Sequence, residues 1–346
     1  MKNHRKLFVI CLLVVFLITA CTGGGETTSG DEVRLVLGAY TTPREAYGEI
    51  IPLFQDYWFE ETGQRVIFEE SYLGSGAQSR AVIEGFAADI VALSLEADVT
   101  RIANAGLITH DWKAGEYRGI VTTSIVSFAV RPGNPKNIRD WVDLSRPDIE
   151  VITPNPNMSG GAMWNILGLY GAALRGHVDG VAADDRAAAD DFLRQVLSNV
   201  SVMDKSARES ILTFEKGIGD LAITYENEVL VGRDSGQDYE LVIPTSTILI
   251  ENPVAVVDAN VDKHGTREVA EAFVEFLYTR EAQDIYAQHG LRVVNPESAA
   301  AAASLYTEVP DLFTVDYFGG WDAVMTDFFS PEGIYSQAIM QVHQGE

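Results

Sequence analysis

The residues best placed to do chemistry in this sequence are small and uncharged. Three Gly/Ser turns, Leu73-Gly74-Ser75-Gly76, Met158-Ser159-Gly160-Gly161 and Lys205-Ser206-Ala207-Arg208, each precede a helical pattern. A helix start presents backbone N–H groups with no partner inside the helix, aligned with the positive end of its dipole. At Gly160 and Gly161 an anion can approach that backbone closely, and Ser159 adds a hydroxyl donor. Any one such turn is also explained as an ordinary N-cap. Three turns spread over both halves of the chain shift the balance toward an anion site.

Other constellations carry less. Gly217-Ile218-Gly219-Asp220-Leu221-Ala222 matches G-x-G-x-x-A. A dinucleotide fingerprint follows a strand and opens a helix, whereas here a β-like run comes after the glycines. The histidines are scattered, with no metal-ligand spacing. No nucleophile elbow or Walker loop occurs. Glu226 and Glu228 flank Asn227 after a strand, a pair that acid–base catalysis can use. Structural hydrogen bonding near a hinge is the preferred reading of that pair. Asp89 and Asp98 read as turn or cap residues. No catalytic residue, metal ligand or cofactor is assigned.

The elements that must position these turns alternate strand and helix. Strand patterns over 33–39, 65–69 and 88–93 are separated by helical patterns over 43–63 and 75–85, which predicts a mostly parallel α/β sheet. A β-rich run from Ile120 ends at Pro132 and opens a second α/β set. Its strands are predicted over 151–153 and 221–225, and its helices over 160–174 and 185–197. Extended segments over 239–244 and 251–257 follow, and then one long amphipathic helix over 266–288. Two sets joined by extended segments near 120–130 and 239–257 predict two lobes, a hinge and a cleft between them. The expected division is 33–119 with 252–346 as one lobe and 120–251 as the other. A chain of 346 residues agrees with more than one core.

Lys2, Arg5 and Lys6 precede an apolar run over 7–17. That run is shorter than the ~20 residues a membrane-spanning helix needs, and suits an export leader. Leu17-Ile18-Thr19-Ala20-Cys21 resembles the lipobox of bacterial lipoproteins, in which Cys21 would carry the lipid. Residues 1–20 are then the leader, and 21–32 a Gly/Ser/Thr-rich tether. The expected location is the outer face of the cytoplasmic membrane or the periplasm. Cys11 and Cys21 are the two cysteines, which removes disulfide and thiolate chemistry from the folded body. With 25 Lys and Arg against 50 Asp and Glu, the net charge of −25 argues against nucleic acid as a partner. Salt screens the repulsion of an anion beyond about 8–10 Å, so binding of one must come from short-range, fixed dipoles.

Taken together, Gly38-Ala39-Tyr40-Thr41-Thr42-Pro43-Arg44-Glu45, Gly74-Ser75-Gly76, Val151-Ile152-Thr153-Pro154-Asn155-Pro156, Ser159-Gly160-Gly161-Ala162-Met163-Trp164-Asn165, Tyr225-Glu226-Asn227-Glu228 and Phe318-Gly319-Gly320-Trp321 resemble the periplasmic sulfate-binding protein family. These are the receptors of ABC-type sulfate and thiosulfate importers. The resemblance implies a two-lobed, type II periplasmic-binding-protein fold that closes over one dehydrated oxyanion. It implies backbone donors at Ser75, Gly160, Gly161 and Ala207, and the Ser159 hydroxyl. Where the family places an indole donor this chain has Tyr225, whose phenol can donate one hydrogen bond. Thr41, Arg44, Arg208 and Glu226 are expected near the site as indirect support. The implied partners are the oxyanion, permease subunits in the membrane and the membrane itself through the N-terminal lipid, with the receptor a monomer. Alternatives are a receptor for molybdate, tungstate or phosphate, and an exported hydrolase using Glu226 or Glu228.

Overall fold

The computed structural model describes residues 32–344. The expected leader, the expected tether up to residue 31 and the cysteine of the expected lipobox lie outside the described residues. The chain begins β1 (Glu32–Tyr40), α1 (Arg44–Thr62), β2 (Arg65–Leu73), α2 (Ser75–Ile83), β3 (Ile90–Ala92), α3 (Glu96–Asn104). β1 pairs in parallel with β2 on one side and β3 on the other. The amphipathic repeat of α1 buries Ile50, Phe54 and Trp58. Gly63 ends that helix at φ 72°, a left-handed cap whose N–H bonds the Phe59 carbonyl at 2.8 Å.

β4 (Ile120–Val130) then leaves this set for a second one: β5 (Val151–Pro154), α4 (Gly160–Leu174), α5 (Arg186–Ser198), β6 (Val200–Asp204), α6 (Ala207–Glu215), β7 (Leu221–Tyr225), α7 (Glu226–Asp234) and β8 (Glu240–Val242). Here β5 lies between β6 and β7, again in parallel. β9 (Ser246–Val256) carries the chain back to α8 (Asp258–His264), α9 (Arg267–Phe276), α10 (Arg280–Gln288), β10 (Arg292–Val293), α11 (Pro296–Ala302), β11 (Asp311–Phe313), α12 (Trp321–Asp327) and α13 (Ile334–Gln344).

Among the described residues the sheet order is β2-β1-β3-β9-β4-β7-β5-β6. β4 and β9 are long enough to serve both lobes. The first half of β4 pairs antiparallel with β9, as Ser124 with Ile250, while its second half pairs with β7 from Val126 opposite Tyr225. β9 in turn joins β3 through Val254 to Val256 and β11 through Ser246 to Ile248. Two crossover strands hydrogen-bonded to one another at mid-length form the link between lobes, with a register shift at Ile120/Thr122.

One expectation changes. The long helix expected over 266–288 is two helices, because Thr279 leaves the helical conformation and its hydroxyl caps α10 by accepting from the Ala282 N–H. Within residues 311–344, aromatic side chains and α13 pack on α4 and α5, and α12 also touches α3. Trp321 meets Trp164 edge-on at 4.7 Å, Phe328 meets Tyr170 at 5.2 Å, and α13 lies along α5. The physical reason is α4: all fifteen of its residues are buried, so the face turned away from the sheet needs an apolar cover.

Candidate functional site

The three turns come together at the carboxyl ends of parallel strands, where open α/β sheets bind ligands. Gly74 follows β2, Ser159 follows β5, and Ser206 follows β6. A side chain on Gly74 would meet the carbonyl oxygens of both Met158 and Lys205 at 2.6 Å. One on Gly161 would lie 2.8 Å from the Tyr225 ring and 3.3 Å from Ala207 Cβ. The starts of α2, α4 and α6 therefore face one small space, with Tyr225 at its wall. The Ala77 N–H crosses the cleft to the Met158 carbonyl at 3.1 Å, so the lobes are in contact here.

The local bonding separates spent donors from free ones. Ser206 is a working N-cap: its hydroxyl accepts from the Glu209 N–H at 3.2 Å. Ser159 and Gly74 make no side-chain cap bond. The Ser159 hydroxyl and the first N–H groups of α2 and α4 are thus left for an acceptor that approaches from the cleft. The Ser75 hydroxyl is committed, donating to Asp98 at 2.6 Å and accepting from the Ser94 N–H at 3.0 Å, which leaves its backbone N–H for the cleft. Asn165, buried one turn into α4, donates to the Thr153 hydroxyl and the Ile223 carbonyl at 2.9 Å and ties the helix start to β5 and β7.

Charge surrounds this cluster without entering it. Arg208 donates to Glu228 at 2.7 Å within its own lobe and reaches both carboxylate oxygens of Glu45 on the opposite lobe. Burial works against the Arg208 charge, but the Glu228 and Glu45 carboxylates outweigh it and hold its pKa well above the usual value. Burial pushes Glu228 upward against the pull of Arg208. Asp98, fully buried, is likewise raised by burial and opposed by Arg101 and Ser75. Glu226 forms a two-pronged pair with Arg292, at 2.7 and 3.0 Å, beside the crossover strands. Both glutamates of the Glu-Asn-Glu run are structural partners of arginines, in agreement with the hydrogen-bonding reading.

The structure brings Ser75, Ser159, Gly160, Gly161, Ala207 and Tyr225 together, with Arg208 behind them. It does not bring Arg44, which is exposed and stacks over the Tyr72 ring at 4.7 Å. The helical phase of α1 points Glu45, its neighbour, at the cleft instead. Thr41 is half-buried and makes no side-chain hydrogen bond among the described residues. Sequence reasoning missed Ser94, Glu45 and the indole of Trp164, which donates to the Ser94 carbonyl at 2.9 Å across the cleft. The available signal for Ser94 was a polar residue at the carboxyl end of an apolar strand. Among the described residues no group of His, Cys, Asp or Glu side chains is arranged to hold a metal ion.

A family profile described as bacterial extracellular solute-binding protein matches residues 35–292. The chain is 43% identical over 344 residues to a sulfate-binding protein of Synechocystis sp., covering 96% of each chain. It is 41% identical over 311 residues to the sulfate-binding protein of Escherichia coli K12, covering 88% of this chain and 93% of that one. A thiosulfate-binding protein of Pseudomonas aeruginosa is 35% identical, covering 96% and 98%. Among solved structures, the sulfate-binding protein SubI from Mycobacterium tuberculosis H37Rv superposes with a TM-score of 0.79 at 40% identity, covering 86% of this chain and all of that one. The convergent helix starts and these likenesses agree, and the chain belongs to the sulfate- and thiosulfate-binding protein family of bacterial extracellular solute-binding proteins.

Proposed function

We propose that this protein is the extracytoplasmic receptor that binds sulfate between its lobes and delivers it to an ABC-type importer. The observation that carries the reading is the convergence of three helix starts whose free donors are uncharged: the N–H groups of Ser75, Gly160, Gly161 and Ala207, with the Ser159 hydroxyl. Each hydrogen bond to a charged oxyanion contributes about 1.5–3 kcal/mol. A handful reaches the roughly 8 kcal/mol of micromolar binding after ordering costs. Asp98, the carboxylate bonded to this cluster, is engaged by Ser75 and Arg101. A pocket of donors suits sulfate, which carries no proton at neutral pH, and disfavours hydrogen phosphate, whose proton needs an acceptor.

The remaining parts of the reading follow from this one. Lobe one is 33–119 with the segment after 252, lobe two is 120–251, and residues from 311 onward serve the second lobe's core. Lipid on Cys21 holds the receptor to the membrane through the tether, and a permease recognises the closed form of a monomer. The receptor turns nothing over, since Glu226 and Glu228 are each committed to an arginine. Calorimetry of the full-length chain tests the proposal. One sulfate per chain is expected, displaced by thiosulfate and not by hydrogen phosphate. Absence of binding at millimolar sulfate, or stronger binding of molybdate, tungstate or phosphate, overturns it.

A further inference from the structure

Tyr225 and Ser94 face each other across the cleft with their hydroxyl oxygens 2.8 Å apart, both buried. The Ser94 backbone has no freedom left: its N–H donates to the Ser75 hydroxyl and its carbonyl accepts from the Trp164 indole. Its hydroxyl oxygen has Tyr225 as its one side-chain partner among the described residues. Proton accounting then decides the chemistry. Two hydroxyls carry two protons, and their mutual bond uses one. A phenol is the stronger acid and an aliphatic hydroxyl the better acceptor, so Tyr225 donates and Ser94 keeps a proton to give. That Ser94 oxygen lies against Gly160, where a side chain on the glycine would collide with it. The spare proton is therefore held at the start of α4, beside the Gly160 and Gly161 donors.

We propose that the Ser94 hydroxyl is a direct donor to the bound oxyanion and that Tyr225 is the positioning residue that orients it. The proposal rests on the sulfate reading above and adds a donor from the first lobe that no turn motif marks. It also explains how a phenol can stand at the wall of the site without reaching the anion. Its hydrogen bond is spent on fixing the serine rotamer.

The test is sulfate calorimetry on the full-length wild type, Ser94→Ala, Tyr225→Phe and the double variant, with melting temperatures measured without sulfate. Losing a hydrogen bond to a charged group is expected to weaken Ser94→Ala binding about 10- to 100-fold. Tyr225→Phe, which leaves the serine donor present but less well aimed, should lose only a few-fold, and the double variant should match Ser94→Ala. Ser94→Cys, close in size and a weaker donor, should fall between wild type and Ser94→Ala, which guards against a packing defect in the alanine variant. Wild-type affinity in Ser94→Ala, or a Tyr225→Phe loss as large as that of Ser94→Ala, overturns the proposal while the receptor reading stands. A wild type that binds no sulfate removes both.

Discussion

Gly160 has no room for a side chain. A Cβ there would press on Ser94 Oγ and lie 2.7 Å from Leu95 Cγ, both on the opposite lobe. Gly160→Ala should keep the lobes from closing without harming either core. Steric insertion of this kind costs about 1–3 kcal/mol, so sulfate affinity should fall roughly 10- to 100-fold. Calorimetry should register that loss while the melting temperature without sulfate stays near wild type. Arg208 is constrained differently, because it is the cation that offsets the buried charge of Glu228. Removing one member of such a pair typically costs about 3–5 kcal/mol, since the other stays buried and unpaired. Arg208→Ala should lower stability by that order in urea unfolding. Glu228→Gln in the same chain should recover a large part of the loss.

At the scale of elements, α4 organises the second lobe. Its amino end presents the proposed anion donors, its body is buried all round, and its carboxyl end is pinned to β11. The pin is Arg175, whose guanidinium pairs with Asp311, while Asp311 also accepts from Ser246 of the crossover strand at 2.6 Å. The Arg175 bond holds the Asp311 carboxyl down at about 2. A depressed carboxylate contributes stability above its ordinary pKa near 4, and that contribution is lost as the pH falls toward the folded value. Wild type should therefore melt higher than Asp311→Asn at neutral pH, and the gap should close between about pH 4 and pH 2. A gap that persists at pH 2 would assign the stabilisation to something other than this carboxylate.

At the scale of the whole molecule, the two lobes communicate through β4 and β9 and through bonds that cross the cleft. The Trp164 indole reaches Ser94, the Arg80 guanidinium reaches the Asn157 carbonyl at 2.9 Å, and Arg208 reaches Glu45. These bonds exist only when the lobes meet, so an anion that favours the closed form draws on all of them. Trp164 is buried against Trp321 and bonded across the cleft, which makes its emission a reporter of closure. Sulfate should change the tryptophan fluorescence of the chain, and Trp164→Phe should abolish most of that change among the five tryptophans. An unaltered signal in the variant would place the reporter elsewhere. The net charge of −25 does not oppose this closure at short range, since the groups that meet are amides, hydroxyls and paired ions.

Much of the architecture was legible because it is local. Alternating strand and helix patterns, Gly63 as a helix stop and the Ser-Gly turns are written in neighbouring residues, and they predicted the α/β class and the starts of α2, α4 and α6. The helix over 160–174 was legible as well, but not what would cover it. Partners far apart in the chain were decided only by tertiary structure. Arg44 and Glu45 are adjacent, yet the phase of α1 sends one to solvent and the other to Arg208, 163 positions away. Ser94 meets Tyr225 over a separation of 131 because β3 and β7 both end at the cleft, from opposite lobes. The sequence by itself determined which backbone groups would lack partners. Only the packing of two lobes decided which distant side chains would stand beside them, because that depends on where strands end in space.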